Sequence, residues 1–354
     1  MSNLLYAEIE KYLKIIINQN GNDPRYMLPS ENQLAMRFGC SLRPVKHALH
    51  NLKQEGLIYG VQGKGIFVTQ NELASSYAKK TVCFLTPNIK QRFPATLFEG
   101  IQNHFRKTGF NLFVSATEDI AQMENQTIDL AIDKQFDGLI IFPITHENFN
   151  KALLNLIVKK YPIVLVGRNI QGLNSSSICT DHYEQMQIAI EHMTEKKHLH
   201  IGFITEGADV SNCYNERISA YNQFIKQKKY RRSHFCDIDF FSDRGSDTAK
   251  DRIDSAVACF LNQNPEITAL ITTNLAVDSI LSYFKNNEEQ LQSLDVIIFD
   301  QPEFSYIPIP SHWRVVDQHP AKMGEVAAEI ITDQITNHTP SRQIVLKSTL
   351  GFPE

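Results

Sequence analysis

The segment from residue 28 to residue 68 constrains the fold of this chain more than any other part. It reads Leu-Pro-Ser-Glu-Asn-Gln-Leu-Ala, then Phe-Gly, then Glu-Gly-Leu, and it ends on Gly-Lys-Gly-Ile-Phe-Val. The four residues from Ser30 have the form of a capping box, Gly39 supplies a turn, and Ser41 is expected to cap the next helix. A glycine-rich tip at 60–65 then joins two short apolar strands. The pattern predicts a helix-turn-helix followed by a two-stranded β-ribbon.

The second helix of this pair combines a buried apolar stripe with an exposed basic side. Val45, Leu49 and Leu52 recur at helical spacing. Such a helix can enter a major groove and present its N-terminal residues to base edges. A lysine between glycines at the ribbon tip can reach a neighbouring phosphate. The residues expected at a DNA surface are Ser30, Arg43, Pro44, Lys46, His47, Gly63, Lys64 and Gly65.

This segment resembles the GntR family of bacterial regulators, whose pattern runs L-P-S-E-x-x-L-A-x-x-F-G-V-S-R-x-T-V-R-x-A-L-x-x-L-x-x-E-G-L and then G-x-G-x-F-V. The match covers Leu28–Ala35, Phe38–Gly39, Ser41, Val45, Ala48–Leu49, Leu52, Glu55–Leu57 and Gly63–Val68. Leu42, Pro44 and Lys46 stand where the family has Arg, Thr and Arg. The resemblance implies a DNA-binding winged helix in which Arg43 and Lys46 replace the family arginines. A winged helix used only for protein contacts is the alternative.

Charge, cysteine and hydrophobic patterning bound the class of protein. Residues 1–70 carry eight Lys or Arg and five Asp or Glu, a net charge of +3 in a chain whose total is −4. A basic N-terminal segment followed by an acidic remainder fits a chain whose N-terminal segment binds the phosphates of a nucleic acid. The six cysteines form no C-x-x-C pair, which predicts reduced thiols. Without a long apolar stretch or a signal peptide, a cytoplasmic protein is expected.

From Thr81 onward, apolar segments alternate with amphipathic ones, which is typical of βα repeats. The predicted strands are Val82–Thr86, Phe110–Ser115, Gly138–Phe142, Ile163–Val166, His200–Ile204, Ala269–Thr272 and Val296–Phe299. The predicted helices lie near 95–108, 119–135, 146–160, 183–197, 214–229, 246–262, 275–286 and 320–336. The fold class is therefore α/β: a winged helix followed by a two-lobed body of doubly wound parallel sheets.

The domains expected from these patterns are a winged helix, a polar linker and a large body. Their ranges are 1–70, 71–80 and 81–354. The first lobe of the body is expected at 81–179 and 318–336, and the second at 180–317 and 337–354.

Polar residues follow several predicted strands, at the edge where open α/β sheets bind ligands. Paired donors and acceptors suit sugar hydroxyls, and an aromatic ring suits the C–H face of a sugar. Spacing alone leaves two interpretations open, a polar ligand site and ordinary solvated loops. The residues in question are Gln91, Phe93, Arg168, Arg217, Asn274, Asp300 and Gln318.

The body resembles the sensor domain of the lactose- and galactose-repressor family, which is similar to periplasmic sugar receptors of the ribose-binding type. The shared segments are 85–101, 136–140, 162–168, 201–204, 215–221 and, most specifically, 316–328. The resemblance implies that the seven strand-end residues bind a monosaccharide, with Phe241 as a second stacking ring. Gly167 departs from the pattern, because the sugar receptors carry Asp before the Arg. The combined layout resembles arabinose-responsive repressors.

Together, the resemblances imply a ligand-controlled repressor of carbohydrate-utilisation genes that binds operator DNA as a homodimer and is released by a monosaccharide. No catalytic, metal or cofactor site is expected, and His192, His198 and His200 are expected to be structural. One alternative is a sugar-transport or chemosensory receptor without a DNA-binding role. Another is a regulator with an aminotransferase-like body, which would need a Schiff-base lysine. The sugar, the operator and the sign of the ligand's effect are left open.

Overall fold

The computed structural model describes residues 2–20, 26–61, 64–68, 80–133, 136–144, 151–168, 175–207, 212–227, 234–238, 249–303 and 307–353. The chain forms two compact units, Met1–Lys80 and Thr81–Glu354, here called the head and the body. Two predicted site residues, Gly63 and Phe241, lie outside the described residues. Of the helices in these ranges, none combines the length and apolar character that a membrane span requires.

The head has the predicted helix-turn-helix and ribbon. Its described elements are α1 (Ser2–Asn20), α2 (Glu31–Arg37), α3 (Leu42–Gln54), β1 (Ile58–Val61) and β2 (Gly65–Val68). The two strands are antiparallel, with Ile58 opposite Val68. Leu13, Leu34 and Leu52 are fully buried and join the three helices in one core.

The starts of α2 and α3 differ in how they are capped. Ser30 Oγ accepts a hydrogen bond from the Gln33 amide at 3.3 Å, and Gln33 Oε1 accepts one from the Ser30 amide at 2.8 Å, so the predicted capping box is confirmed. Ser41 occupies the N-cap position of α3 with extended backbone, but its side chain makes no capping hydrogen bond. The prediction for Ser41 is therefore right in position and wrong in hydrogen bonding.

The first sheet of the body is parallel at every described strand pair. Its strands are β3 (Thr81–Thr86), β4 (Asn111–Ala116), β5 (Gly138–Ile141), β6 (Ile163–Val166), β7 (Ser176–Thr180) and β13 (Gln343–Leu346), in the order β13–β7–β6–β5–β3–β4. Its helices are α4 (Arg92–Thr108), α5 (Ala121–Asp133), α6 (Lys151–Val158) and α12 (Pro320–Asn337). Phe84 packs in the cluster that includes α4 and α12, whereas the neighbouring Leu85 packs with α5 and α6. Helices therefore cover both faces of the sheet.

The second sheet is also parallel, except for one edge strand. Its strands are β8 (Ile201–Glu206), β9 (His234–Ile238), β10 (Ala269–Thr273), β11 (Asp295–Phe299), β12 (Arg314–Asp317) and β14 (Thr349–Gly351), in the order β14–β12–β11–β10–β8–β9. The pair β12–β14 is antiparallel. Its helices are α7 (His182–Glu195), α8 (Asn212–Gln227), α9 (Ala249–Gln263), the 3-10 turn Asn274–Ala276, α10 (Val277–Phe284) and α11 (Glu288–Ser293). The predicted α/β class with two doubly wound lobes is confirmed.

One lobe boundary differs from the prediction. Residues 337–354 were expected in the second lobe, but β13 pairs in parallel with β7 and so belongs to the first sheet. Only β14, after it, joins the second sheet. Both strands lie at sheet edges and are short, with half-exposed patterns that lack the continuous apolar run of a central strand. β7, β9 and β12 were missed because each is short and includes polar residues.

Candidate functional sites

The exposed side of α3 carries the basic residues that were predicted to contact DNA. Arg43, Lys46 and His47 are exposed, and Pro44 is half-buried in the first turn. Lys46 Nζ lies 3.8 Å from the Glu31 carboxylate at the start of α2, and both side chains are exposed. An exposed pair at this distance contributes little free energy, so Lys46 can exchange it for a phosphate.

Two of the predicted DNA-surface residues also have structural partners within the head. Ser30 is exposed but its hydroxyl belongs to the capping box of α2. The ring of His47 lies 4.6 Å from the ring of Tyr6 on α1. At the tip of the ribbon, Lys64 and Gly65 are exposed, and Gly65 has a φ of +128°, which favours glycine.

In the body, the seven predicted strand-end residues line one cavity of about 170 Å³ between the two lobes. These residues are Gln91, Phe93, Arg168, Arg217, Asn274, Asp300 and Gln318. They come from both sheets, at the carboxyl ends of the parallel strands or at the helices that follow, where α/β proteins bind ligands. We call this cavity the crevice.

Arg217, on α8, is the buried cation of the crevice. It is 5% exposed, and its Nε and Nη2 donate to Gln185 Oε1 at 3.3 Å and 2.9 Å. Its guanidinium carbon stands 4.2 Å above the centre of the Phe299 ring. The guanidinium is therefore fixed in orientation before any ligand binds.

Asp300 and Gln318 form the acceptor side of the crevice. Gln318 Nε2 donates to both carboxylate oxygens of Asp300 at 2.7 Å. Burial raises the pKa of Asp300, while Arg217 and the hydrogen bonds from Gln318 oppose that rise. Asp300 has a φ of +68°, a left-handed conformation that Asp tolerates better than most residues. Strained backbone of this kind is typical of residues held for a functional role.

A second carboxylate, Glu206, faces the same cavity and was not predicted. It ends β8, is 6% exposed, and accepts hydrogen bonds from the hydroxyls of Thr273 and Tyr214. Burial raises the pKa of Glu206, and the Thr273 bond and Arg217 oppose the rise. The signal in the sequence was a carboxylate directly after an apolar strand, the same signal that marked Asp300.

His182, at the start of α7, also lines the crevice and was not predicted. It is 6% exposed, and its Nδ1 lies 3.2 Å from Gln185 Oε1. Burial and the nearby Arg217 lower its pKa to about 4, although Gln185, Glu216 and Asp300 favour the charged form. The imidazole is therefore neutral at physiological pH and adds no positive charge to the crevice.

A buried chain of hydrogen bonds connects the crevice with the three described segments that cross between the lobes. Thr180, Gln318 and Ser348 each lie in one crossing segment. Thr180 Oγ1 donates to Gln318 Oε1 at 2.6 Å, and Gln185 Nε2 donates to Thr180 at 2.8 Å and to Ser348 at 3.0 Å. Because Gln185 also accepts from Arg217, the guanidinium of Arg217 is connected, through this one side chain, to two of the crossing segments.

A larger cleft of about 540 Å³ opens beside the crevice and shares Phe93 and Asp300 with it. At its rim the Arg92 amide donates to Glu303 Oε1 at 2.8 Å, which connects the first lobe to the second. The smaller crevice is the better candidate for a specific polar ligand, because the buried cation and both buried carboxylates line it.

Two family models match the chain. One, described as a periplasmic binding protein domain, matches residues 82–339, and the other, described as bacterial regulatory proteins of the gntR family, matches residues 5–68. The chain belongs to the periplasmic-binding-protein-domain family. Its head is a GntR-type helix-turn-helix domain, so the combination implied by the sequence resemblances is confirmed.

The similar proteins include transcriptional regulators and repressors. A protein of Paenibacillus polymyxa described as a probable HTH-type transcriptional regulator, EndR, is 25% identical over 321 residues, which is 87% of this chain and 91% of the relative. An arabinose metabolism transcriptional repressor of Geobacillus stearothermophilus is 23% identical over 199 residues, 55% of each chain. The solved trehalose repressor from Escherichia coli superposes with a TM-score of 0.63 at 18% identity over 77% of this chain and all of that one. The likeness to the solved structure shows the fold.

The departure at Gly167 now has a structural cause within this periplasmic-binding-protein domain. Gly167 has a φ of +76°, and a Cβ added there would lie 2.9 Å from the ring of Phe142. Phe142 in turn lies 5.6 Å from Phe93, ring centre to ring centre, so the pair forms an aromatic wall of the crevice. Sequence reasoning did not place Phe142 in this site, and its position directly after the apolar β5 was the available signal. The chain therefore has an aromatic ring beside the position where sugar receptors have a carboxylate.

Arg168 completes the wall formed by Phe93 and Phe142. Its Nη1 donates to the Ile144 carbonyl at 2.8 Å, and its guanidinium carbon lies 6.0 Å from the centre of the Phe142 ring. Gln91 also lines the crevice, and its Oε1 accepts from Asn88 Nδ2 at 3.0 Å. The crevice therefore combines hydrogen-bonding groups with an apolar surface, as small-molecule sites usually do.

Proposed function

We propose that this protein is a ligand-responsive transcriptional repressor of carbohydrate-utilisation genes. The observation that carries the proposal is the convergence of buried, oppositely charged side chains on one interlobe crevice in a chain whose head is a GntR-type helix-turn-helix domain. The curated relatives, an HTH-type regulator and an arabinose metabolism repressor, support it. In this proposal the protein acts on chromosomal DNA in the cytoplasm.

The proposed ligand is a monosaccharide or a polar molecule of similar size. A volume of about 170 Å³ is below the usual range for drug-sized ligands. Arg217 and Arg168 supply donors, Asp300 and Glu206 supply acceptors, and the Phe93–Phe142 wall supplies an apolar face. A sugar needs all three kinds of contact, since each hydroxyl both donates and accepts.

Ligand control is proposed to act through lobe closure. A ligand held between Arg217 of one lobe and Arg168 of the other favours one relative orientation of the lobes. The hydrogen-bonded chain through Gln185, Thr180 and Gln318 would carry that change to the crossing segments. Two copies of the chain, each with one head, would then lose or gain the spacing that a pseudo-palindromic operator requires.

A ligand titration tests this function. The full chain is titrated calorimetrically with pentoses, hexoses and their phosphates, and operator affinity is then measured with and without each binder. We expect a sugar that weakens operator binding, and we expect operator to weaken binding of that sugar by the same factor. Tight binding of a sugar by a chain that selects no operator from random duplexes would instead favour the transport or chemosensory receptor.

Substitutions on α3 and at the ribbon tip should separate base contacts from phosphate contacts. Arg43→Ala is expected to reduce operator affinity by roughly 1–3 kcal/mol and to relax sequence preference, because it removes a base-edge contact. Lys64→Ala should weaken binding to all DNA sequences alike. It should also reduce the slope of log affinity against log salt concentration by about the amount expected for one phosphate contact. Operator affinity is measured by fluorescence anisotropy at several salt concentrations.

Lys53→Ala is the charge-matched control for both variants, because Lys53 is exposed in the last turn of α3, away from the helix start. Its operator affinity should stay near that of the parent. If Arg43→Ala binds the operator as tightly as this control, the start of α3 does not enter the groove.

A further inference from the structure

A group of three metal-ligating side chains lies at the opposite end of the second sheet from the crevice. His200 directly precedes β8, His234 is the first residue of β9, and Glu266 lies in the turn before β10. β9, β8 and β10 are neighbours in the sheet, so their amino ends bring the three residues together. One ligand atom from each residue lies within 4.8 Å of the other two.

The protonation pattern of His234 follows from its neighbour Asn264. The Asn264 Nδ2 donates to the Phe260 carbonyl at 2.7 Å, which turns its Oδ1 toward His234. His234 Nδ1 lies 3.0 Å from that oxygen and so carries the proton that the oxygen accepts. The other ring nitrogen, Nε2, is then left with its lone pair, the form in which imidazole binds metals.

That lone pair faces a carboxylate. His234 is 2% exposed, and its Nε2 has no hydrogen-bond partner among the described residues. Glu266 Oε1 lies 3.8 Å from this nitrogen. Two acceptors that face each other across this distance repel, and 3.8 Å is too long for a proton on Nε2 to form a hydrogen bond. A cation between the two atoms would remove the repulsion.

We propose that His200, His234 and Glu266 bind a divalent transition-metal ion, with Zn²⁺ as the expected ion. Two imidazoles and one carboxylate form a ligand set that Zn²⁺ accepts, and water would complete a tetrahedral site. His200 and Glu266 are half-exposed, which gives the ion and its water a path from solvent. Asn264 is the positioning residue that fixes the tautomer of His234.

The site would stabilise the second lobe without touching the effector. It joins the starts of three adjacent strands, whereas Glu206, at the other end of β8, lines the crevice. Under this proposal His200, which the sequence analysis expects to be structural, is a metal ligand. His198 keeps a structural role, because its Nε2 lies 2.7 Å from Asp295 Oδ2 and its Nδ1 lies 2.9 Å from Thr268 Oγ1.

Metal titration of the full chain tests the proposal. Zn²⁺ is titrated calorimetrically into metal-free protein, and Co²⁺ is titrated with detection of its visible d–d absorption. We expect one ion per chain, a tetrahedral Co²⁺ spectrum and a melting temperature that rises with Zn²⁺. His200→Gln and Glu266→Gln are each expected to raise the Kd for Zn²⁺ by at least about tenfold and to abolish the thermal shift.

Matched variants separate this site from other metal-binding groups. His50→Gln and Glu195→Gln remove the same side-chain types from exposed positions and should bind Zn²⁺ as the parent does. The free thiols, including the exposed Cys259, are the main competing ligands, and they would add a thiolate-to-cobalt charge-transfer band in the near ultraviolet. A thermal unfolding curve recorded without metal shows whether each variant is folded. Zn²⁺ binding unchanged in folded His200→Gln and Glu266→Gln, or a strong thiolate band in the parent, would overturn the proposal.

Discussion

Replacing Arg217 with alanine is expected to abolish ligand control and to destabilise the body, while leaving the head able to bind DNA. Arg217 is a buried cation that lines the crevice together with two buried carboxylates, Glu206 and Asp300, and its charge opposes the rise in pKa that burial causes in both. Removing one member of a group of buried, oppositely charged side chains lowers the free energy of unfolding by about 3–5 kcal/mol, because the remaining charges are left uncompensated. Ligand affinity should fall at least about tenfold through the lost charge-assisted hydrogen bonds.

The pH dependence of this variant has a definite sign. Without Arg217, the pKa values of Asp300 and Glu206 in the folded state should rise further above their unfolded values. A carboxyl whose folded pKa is raised binds its proton more tightly when folded, so its favourable contribution is lost as the pH increases through the folded pKa. The stability deficit of Arg217→Ala relative to the parent should therefore be larger near pH 8 than near pH 5. Urea unfolding at the two pH values measures it.

Arg314→Ala is the control, because Arg314 also lies over a phenylalanine in the second lobe but outside the crevice. Its guanidinium carbon is 3.9 Å from the centre of the Phe352 ring. This variant should bind the ligand normally and show no added pH dependence. If Arg217→Ala bound the effector with parental affinity and still responded to it at the operator, the crevice assignment would be wrong.

The strand-end rule and the family resemblance together found residues that come from distant parts of the chain. Arg168 and Asp300 follow strands of different sheets, and both line the same crevice. The rule works because parallel strands place all their carboxyl ends at one edge. It is local to each strand and needs no knowledge of which strands are neighbours.

Two of the residues that were missed, Gln185 and His200, depend on information that the local pattern does not contain. Gln185 is a polar residue on an amphipathic helix and becomes recognisable only when Arg217 and Thr180 are seen to contact it. His200 lies near His192 and His198 in sequence, but the residues beside it in the structure, His234 and Glu266, come from two other segments of the chain. Burial also decides the chemistry, since a glutamate such as Glu206 looks the same in sequence whether it is solvated or enclosed.

The edge strands were missed for a related reason. β13 has alternate exposed and half-buried residues and only four positions, so it lacks a long apolar run. Its partner, β7, lies more than 160 positions earlier in the chain. Pairing at that separation is decided by the whole fold, which is why the lobe boundary after α12 was predicted incorrectly.

Alanine at Gly100 is expected to destabilise the first lobe by about 3 kcal/mol or more. Gly100 on α4 and Gly324 on α12 lie where the two helix backbones meet, and an added Cβ at Gly100 would be 2.0 Å from the Ala321 carbonyl oxygen. Helix propensity alone would favour alanine by about 1 kcal/mol. The clash is with backbone, which cannot rotate away, so the helices must separate, and overpacking of this kind outweighs propensity.

The consequence extends to the crevice, because Phe93 lies in the first turn of α4 and Gln318 lies just before α12. Gly100→Ala should lower the melting temperature by roughly 6–12 °C and should also lower the affinity for the ligand. Gly324→Ala should act in the same way, since its Cβ would be 2.2 Å from the Leu97 carbonyl oxygen. Gly351→Ala is the control, because a Cβ there meets nothing within 4 Å. Thermal unfolding of all three variants tests this prediction. If Gly100→Ala and Gly324→Ala have the same melting temperature as Gly351→Ala, the two helices are not in backbone contact.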